Sequence, residues 1–307
     1  MLFQEHVQKL FDEPIIRTEH IDPGYPNTNQ VWLVDAGDVS YVVKVSGHTS
    51  DTPRSCFWLG LQELFGSKPL EELTYHPALA KYLNRHGEIP VPTVLRVESS
   101  NDLIGKPFTV MERANGVGAH GHDFVPKSIA RQLGRHIGSL HSKSVKKFGN
   151  FPRTRSLSAN EFPQRLVAAL ESLYAHAWKC DEEVQAFIDH YLARARRLPP
   201  PTHIALIMPD MSPEQFLVDN GRLSALVDIE SCVWGPIELE LVTIERFIRN
   251  GDAFRTGYEE TFGALPPLEP VREVFRFFYY LLYNAPPKRL AEWIDAKDRD
   301  IRRSWKT

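Results

Sequence analysis

Apolar positions repeat in two different ways along the chain of 307 residues. In the first third the repeat is that of strands. Val31-Trp32-Leu33-Val34 and Val39-Ser40-Tyr41-Val42-Val43-Lys44-Val45 are rich in β-branched and aromatic residues, with Asp35-Ala36-Gly37-Asp38 between them, which predicts an antiparallel hairpin. A helix is expected from about Leu70 to Arg85. It should stop at Gly87, because Ile89-Pro90-Val91-Pro92 cannot continue it and leads instead into an extended Val94-Leu95-Arg96-Val97. Pro107 to Glu112 reads as another strand, closed by Asn115-Gly116. From about residue 125 the period lengthens, with Ile129, Leu133, Ile137 and Leu140 on one helical face. Further helices are expected at 160–178, at 183–196 up to the prolines at 199–201, and after residue 236. The pattern describes an α+β chain of two unequal lobes, residues 1–112 with a small antiparallel sheet and residues 113–307 mainly helical, sharing one cleft.

Composition narrows the partners. The formal net charge is −3, so there is no overall basic field to hold nucleic acid or an anionic membrane. Cys56, Cys180 and Cys232 are odd in number and far apart, which argues against a disulfide framework or a thiolate zinc site and for a reducing cytoplasm. The most apolar stretch, Val274 to Pro287, is interrupted by Arg276 and falls short of the roughly 20 residues of a membrane span. Its aromatic run, Phe275 to Tyr283, reads first as core and second as a wall for an apolar ligand.

Candidate chemistry concentrates between His203 and Glu230. Asn220-Gly221 separates Phe216-Leu217-Val218 from Leu223-Ser224-Ala225-Leu226-Val227, and Asn-Gly favours a two-residue type I′ turn. The register then sets Asp219 opposite Arg222, Leu217 opposite Ser224 and Gln215 opposite Leu226, leaving Gln215 and Asp228 as diagonal neighbours on one face, roughly 7–8 Å apart. An amide oxygen and a carboxylate suit a hard divalent cation such as Mg2+. Asp210, in a loop kept irregular by Pro209 and Pro213, can fold back to the same end of the hairpin and stay free as a base.

In this frame the segment Met208-Pro209-Asp210 to Asp228-Ile229-Glu230 resembles the aminoglycoside phosphotransferase and choline kinase group, small-molecule kinases of the protein-kinase-like fold, with their HGDxxxxN loop and following strand–turn–strand ending in Asp. Upstream, Asn29-Gln30-Val31-Trp32 resembles the end of the group's phosphate-covering loop, Lys44 its phosphate-binding lysine, and the stretch to Glu112-Arg113-Ala114-Asn115-Gly116 its interlobe hinge. Arg135 to His141 resembles its helix ending in Leu-His. The resemblance spans about residues 20 to 245 and implies transfer of the γ-phosphoryl group of ATP or GTP to a hydroxyl of a small antibiotic or metabolite. Asp210 would be the catalytic base, Gln215 and Asp228 the Mg2+ ligands, and Asn29, Lys44, Glu112 and Ala114 the nucleotide contacts. Glu72 is chosen as the helix glutamate that pairs with Lys44, although His76 lies nearer that position when counted back from Pro90. Monomer and homodimer are both compatible with the chain.

The departures are specific. Met208 stands for the motif His, Pro209 for its Gly and Gln215 for its Asn, and the segment Asp22 to Asn29 holds only Gly24. They motivate an alternative, a catalytically degenerate nucleotide- or ligand-binding protein on the same fold. From Leu241 to the C-terminus there are 10 Asp/Glu and 12 Lys/Arg, a balance that disfavours a polycationic aminoglycoside as acceptor.

Overall fold

The computed structural model describes residues 7–21, 29–48, 50, 52, 55–100, 102–119, 126–283 and 289–295. The loop expected to cover phosphates, from Asp22 to Thr28, and the His120-Gly121-His122 segment lie outside them. Five strands form one antiparallel sheet in the order β1-β2-β3-β5-β4: β1 (Ile15–Ile21), β2 (Asn29–Ala36), β3 (Val39–Ser46), β4 (Val94–Glu98) and β5 (Phe108–Glu112). The predicted β2–β3 hairpin is present, turning at Gly37 with φ 56°, a left-handed position that costs glycine little. Val34, Val43, Val45, Phe108 and Val110 form a small core on this sheet.

The helix expected over 70–85 is broken in two, Pro69–Thr74 and His76–His86. Pro77 is the cause: without an N–H it cannot continue the helical ladder from the preceding turn. The second helix then runs into Gly87, where an added Cβ would lie 2.5 Å from the His136 ring. His136 Nδ1 accepts from both Glu88 N and Ile89 N at 3.0 Å. Two donors aimed at one ring nitrogen require the neutral imidazole, in keeping with a pKa pushed down to about 3, first by burial and then by His141.

A second and larger core joins the helices Lys127–His141, Phe162–Leu173, Glu182–Arg196, Ile237–Ile244, Gly251–Thr261 and Arg272–Leu282. It also takes in Trp58, Leu61, Leu64 and Phe65 from the helix Cys56–Phe65, and Leu79 and Leu83 from the helix before Gly87. Residues from both sides of position 112 therefore share it. Phe275, Phe277, Phe278 and Tyr279 are at most 2% exposed, so the aromatic run is core. Arg276 inside it is buried too, neutralised by Glu245 at 3.0 Å and donating to Ile294 O at 2.9 Å. Among the described residues two small sheets lie beyond the hinge, β11-β10-β6 and β8-β7-β12-β9, from β6 (Val117–Gly118), β7 (Lys147–Asn150), β8 (Ser156–Ser158), β9 (Ile204–Ile207), β10 (Phe216–Asp219), β11 (Arg222–Leu226) and β12 (Val233–Pro236). Among the described residues no helix is long and apolar enough to cross a membrane.

Candidate active site

Lys44 sits in β3 between Val31 of β2 and Thr109 of β5, only 7% exposed, with its ammonium ion-paired to both Asp228 and Glu230. Burial alone would lower its pKa, but the two carboxylates more than reverse this and hold it above the ordinary lysine value. The same pairing brings Glu230, which burial alone would raise, below the usual carboxylate range. His76 Nε2 lies 3.7 Å from Glu230 Oε1. Glu72 is buried on the helix Pro69–Thr74 and is not one of the lysine's ion partners, so the expected pairing of Glu72 with Lys44 is replaced by one with Glu230.

The hairpin β10 (Phe216–Asp219) to β11 (Arg222–Leu226) keeps the expected Asp219–Arg222 pair, with Asn220 at φ 49° and Gly221 at φ 74°. Beyond it the register departs from expectation, because Leu217 pairs with Ala225 and Phe216 with Leu226. Ser224 is the extra residue, bulged out to donate its hydroxyl to Asn115 O at 2.7 Å. The slip brings Gln215 opposite Val227, whose N–H donates to Gln215 O at 2.7 Å. Gln215 is consequently buried, and its Oε1 accepts from Ser212 N at 2.5 Å. Asp228 turns the other way, at φ 59° and ψ 47°, a left-handed conformation that Asp tolerates better than most residues. Its carboxylate meets Lys44 at the cleft.

Asp210 lies in the turn after β9 (Ile204–Ile207). Met208, in the place of the motif His, puts its side chain into the core. The loop nevertheless has an anchor, since Met208 N donates to Glu240 Oε1 at 2.6 Å. Glu240 is bonded in turn to His141 Nε2 at 2.8 Å, and His141 Nδ1 to the Tyr258 hydroxyl at 2.9 Å. Asp210 has its pKa raised to about 7, chiefly by burial, then by the charges of Asp228 and Glu230; Lys44 opposes this and Glu214 adds to it. A carboxylate poised there can take a proton near neutral pH.

Lys44, Asp228 and Glu230 close one end of a cleft of about 330 Å³ between the lobes, lined on its walls by Leu33, Val42, Val91, Met111, Leu217 and Leu226 and at the hinge by Glu112 and Ala114. Its size and apolar walls suit a flat heterocycle. At the hinge, Glu112 N donates to Thr93 O and Arg113 N to Ser40 O. Asn29, the first residue of β2, accepts from Gly47 N at 3.4 Å. Asp228 and Glu214 both face the cleft and offer hard oxygen donors. Among the described residues no group of three or more His, Cys, Asp or Glu is placed to hold a metal by itself. Mg2+ suits such a site, because it takes one or two carboxylates and completes its shell with water and phosphate. A cation there would also relieve the crowding of negative charge that raises Asp210. Gln215, buried and bonded to Ser212 N within its own loop, is not among the residues that line the cleft.

The sequence profile of the phosphotransferase enzyme family matches residues 23–278. The chain belongs to that family. Its fold is similar to the macrolide 2′-phosphotransferase MphH from Brachybacterium faecium, with a TM-score of 0.61 and 15% identity over 96% of this chain and 98% of that one. Aminoglycoside phosphotransferase APH(4)-Ia gives 0.60 and 17%, over 91% and 88%. A thermostable mutant of APH(4)-Ia in ternary complex with AMP-PNP and hygromycin B gives 0.59 and 15%, over 91% and 88%. No curated protein matches the sequence. The two-lobed kinase-like architecture expected from the motifs is therefore that of this phosphotransferase.

Within the candidate site, Glu230, Glu214 and Ser224 are not among the residues the sequence singles out. Glu230 carried a signal: in Val227-Asp228-Ile229-Glu230, alternation sets two carboxylates on the side opposite two apolar residues. Ser224 carried none, since a bulge leaves no compositional mark in an alternating strand. Glu240, on the helix Ile237–Ile244, fixes the Asp210 loop through Met208 N.

Proposed function

We propose that this phosphotransferase moves the γ-phosphoryl group of ATP or GTP to a hydroxyl of a small molecule in the cleft between the lobes. The observation that carries the reading is the meeting of Lys44, Asp228 and Glu230 at one end of that cleft, with Asp210 close enough for the two carboxylates to add to burial in raising it to about 7. The base would lie against the apolar walls, with backbone groups of Glu112 and Ala114 at the hinge. Lys44 would neutralise the α- and β-phosphates, and Asn29 would approach them from the start of β2. Asp228, with Gln215 if it is released from Ser212, would hold Mg2+, which when bound supplies charge neutralisation to the phosphates. Asp210 accepts the proton of the acceptor hydroxyl as its oxygen bonds to the γ-phosphorus and the bond to the nucleoside diphosphate breaks. Phosphoryl transfer asks mainly for positioning and charge compensation, and the Glu240 anchor on Met208 N supports the positioning of Asp210.

We place the acceptor beside Asp210 on the side of Tyr283, whose hydroxyl is pushed up to about 12 by burial, with Arg246 opposing and Asp210 adding to the rise.

The test is phosphoryl transfer from labelled ATP or GTP, with Mg2+, to a panel of neutral, anionic and cationic hydroxyl compounds. Transfer that disappears in Asp210→Asn while nucleotide binding persists supports the reading. A folded protein that neither gains thermal stability from Mg2+ and nucleotide nor transfers to any acceptor overturns it. The use of Gln215 Oε1 within its own loop favours the second reading, nucleotide binding without transfer, which predicts stabilisation by nucleotide and no product.

A further inference from the structure

We propose that Glu230 is the positioning residue that holds Lys44 toward the nucleotide phosphates, and that His76 occupies the helix position from which such a carboxylate would otherwise come. This rests on the nucleotide-binding reading of the cleft. Lys44 is tied to two carboxylates that differ in surroundings. Both carboxylates line the cleft, but the Asp228 side chain is 47% exposed and that of Glu230 only 15%. A cation with phosphates in the cleft competes for Asp228, the more accessible partner. Glu230 then remains as the lysine's fixed counter-charge, and a charge-assisted bond of this kind orients the ammonium as well as neutralising it.

His76 explains why the carboxylate comes from the segment after β11 rather than from the helix. It begins the helix His76–His86, is 1% exposed, lines the cleft, and points Nε2 at Glu230 from 3.7 Å. Neither ring nitrogen has a hydrogen-bond partner among the described residues, an arrangement that costs free energy at a buried site. Burial lowers its pKa, with Glu230 opposing and Lys44 reinforcing. A neutral imidazole leaves the charge of Glu230 to Lys44. The two positions are close enough that a carboxylate placed at 76 should serve in place of one removed at 230.

That exchange is the experiment. Affinities of the full chain for ATP and ADP, each with Mg2+, and for adenosine are measured by calorimetry for wild type, Glu230→Gln and the double variant Glu230→Gln with His76→Glu. Glu230→Gln is expected to weaken ATP and ADP by about tenfold while leaving adenosine within about twofold, because only the phosphates meet Lys44. The double variant should recover most of that loss. The assignment is overturned if Glu230→Gln binds ATP like wild type, if adenosine weakens in equal proportion, or if the double variant recovers nothing while still binding adenosine normally. Should Glu230→Gln not fold, Glu230→Asp keeps the charge and shortens its reach. It must then show the same selective loss for ATP over adenosine, and an unchanged ratio overturns the assignment. Wild type that binds none of the three ligands removes the nucleotide reading and this one with it, whereas normal wild-type binding with an unaffected Glu230→Gln removes this one alone.

Discussion

Asp210→Asn should stabilise the nucleotide-free protein at alkaline pH and not at acidic pH. Asp210 is raised from 3.8 to about 7 by burial and by the charges of Asp228 and Glu230. The sign follows from proton counts: between about pH 4 and pH 7 the unfolded chain has released this proton and the folded chain keeps it, so stability falls as pH rises through that window. Above pH 7 both states are ionised and the full penalty is present. Three pH units correspond to about 4 kcal/mol at most, and partial solvent contact reduces this to roughly 2 kcal/mol. Asparagine removes the charge and with it the penalty. Urea unfolding of both proteins at pH 5 and pH 8 measures the difference, and the gain from Asn should be larger at pH 8 by about 1–1.5 kcal/mol, the share of the penalty that builds above pH 5. A gap below about 0.5 kcal/mol, or one of opposite sign, would refute the electrostatic account of Asp210 and with it the reason for a base tuned near neutrality.

Three other perturbations test separate parts of the site. Glu240→Ala leaves Met208 N and His141 without their buried acceptor and should cost about 3–5 kcal/mol in urea unfolding, with a loss of turnover exceeding that of nucleotide affinity. Lys44→Met strips the compensating charge from Asp228 and Glu230, so the acid limb of the pH–rate profile, set near 7 by Asp210, should move to higher pH as nucleotide binding weakens. Gly87→Ala drives a methyl into the His136 ring and should destabilise by about 1–3 kcal/mol, seen as a lower urea midpoint at unchanged slope.

The sequence was most legible where geometry is set by near neighbours. The β2–β3 hairpin, the Asn220-Gly221 turn and the stop at Gly87 each follow from residues within a few positions of one another. It was least legible where a distant group decides. The register of β10 on β11 turns on Ser224 reaching Asn115 across 109 positions, and the anchoring of the Asp210 loop turns on Glu240, 32 positions beyond Met208. Pro77 was local and its effect was missed, because the apolar period of 70–85 continues through it while the backbone hydrogen-bonding pattern does not.

Two departures from the family pattern, Met208 before Asp210 and His76 on the helix His76–His86, share a physical logic. Met208 removes a polar side chain from the catalytic loop, and a carboxylate on the helix Ile237–Ile244 takes hold of that loop's backbone. His76 leaves the helix without a charge for Lys44, and Glu230 brings one from the segment that also carries Asp228. In both cases a charge or hydrogen bond is supplied to the site from another part of the chain. That outcome is expected where the energetics reward position and sign of charge rather than chain identity. Gln215 is the exception, since its oxygen closes a bond within its own loop. Release of that bond would cost on the order of 1 kcal/mol, small beside the Mg2+ and phosphate interactions it would join. Gln215→Ala that leaves metal-dependent nucleotide binding and turnover both unchanged would place its amide outside the reaction altogether, whereas loss of both would assign that amide to the metal.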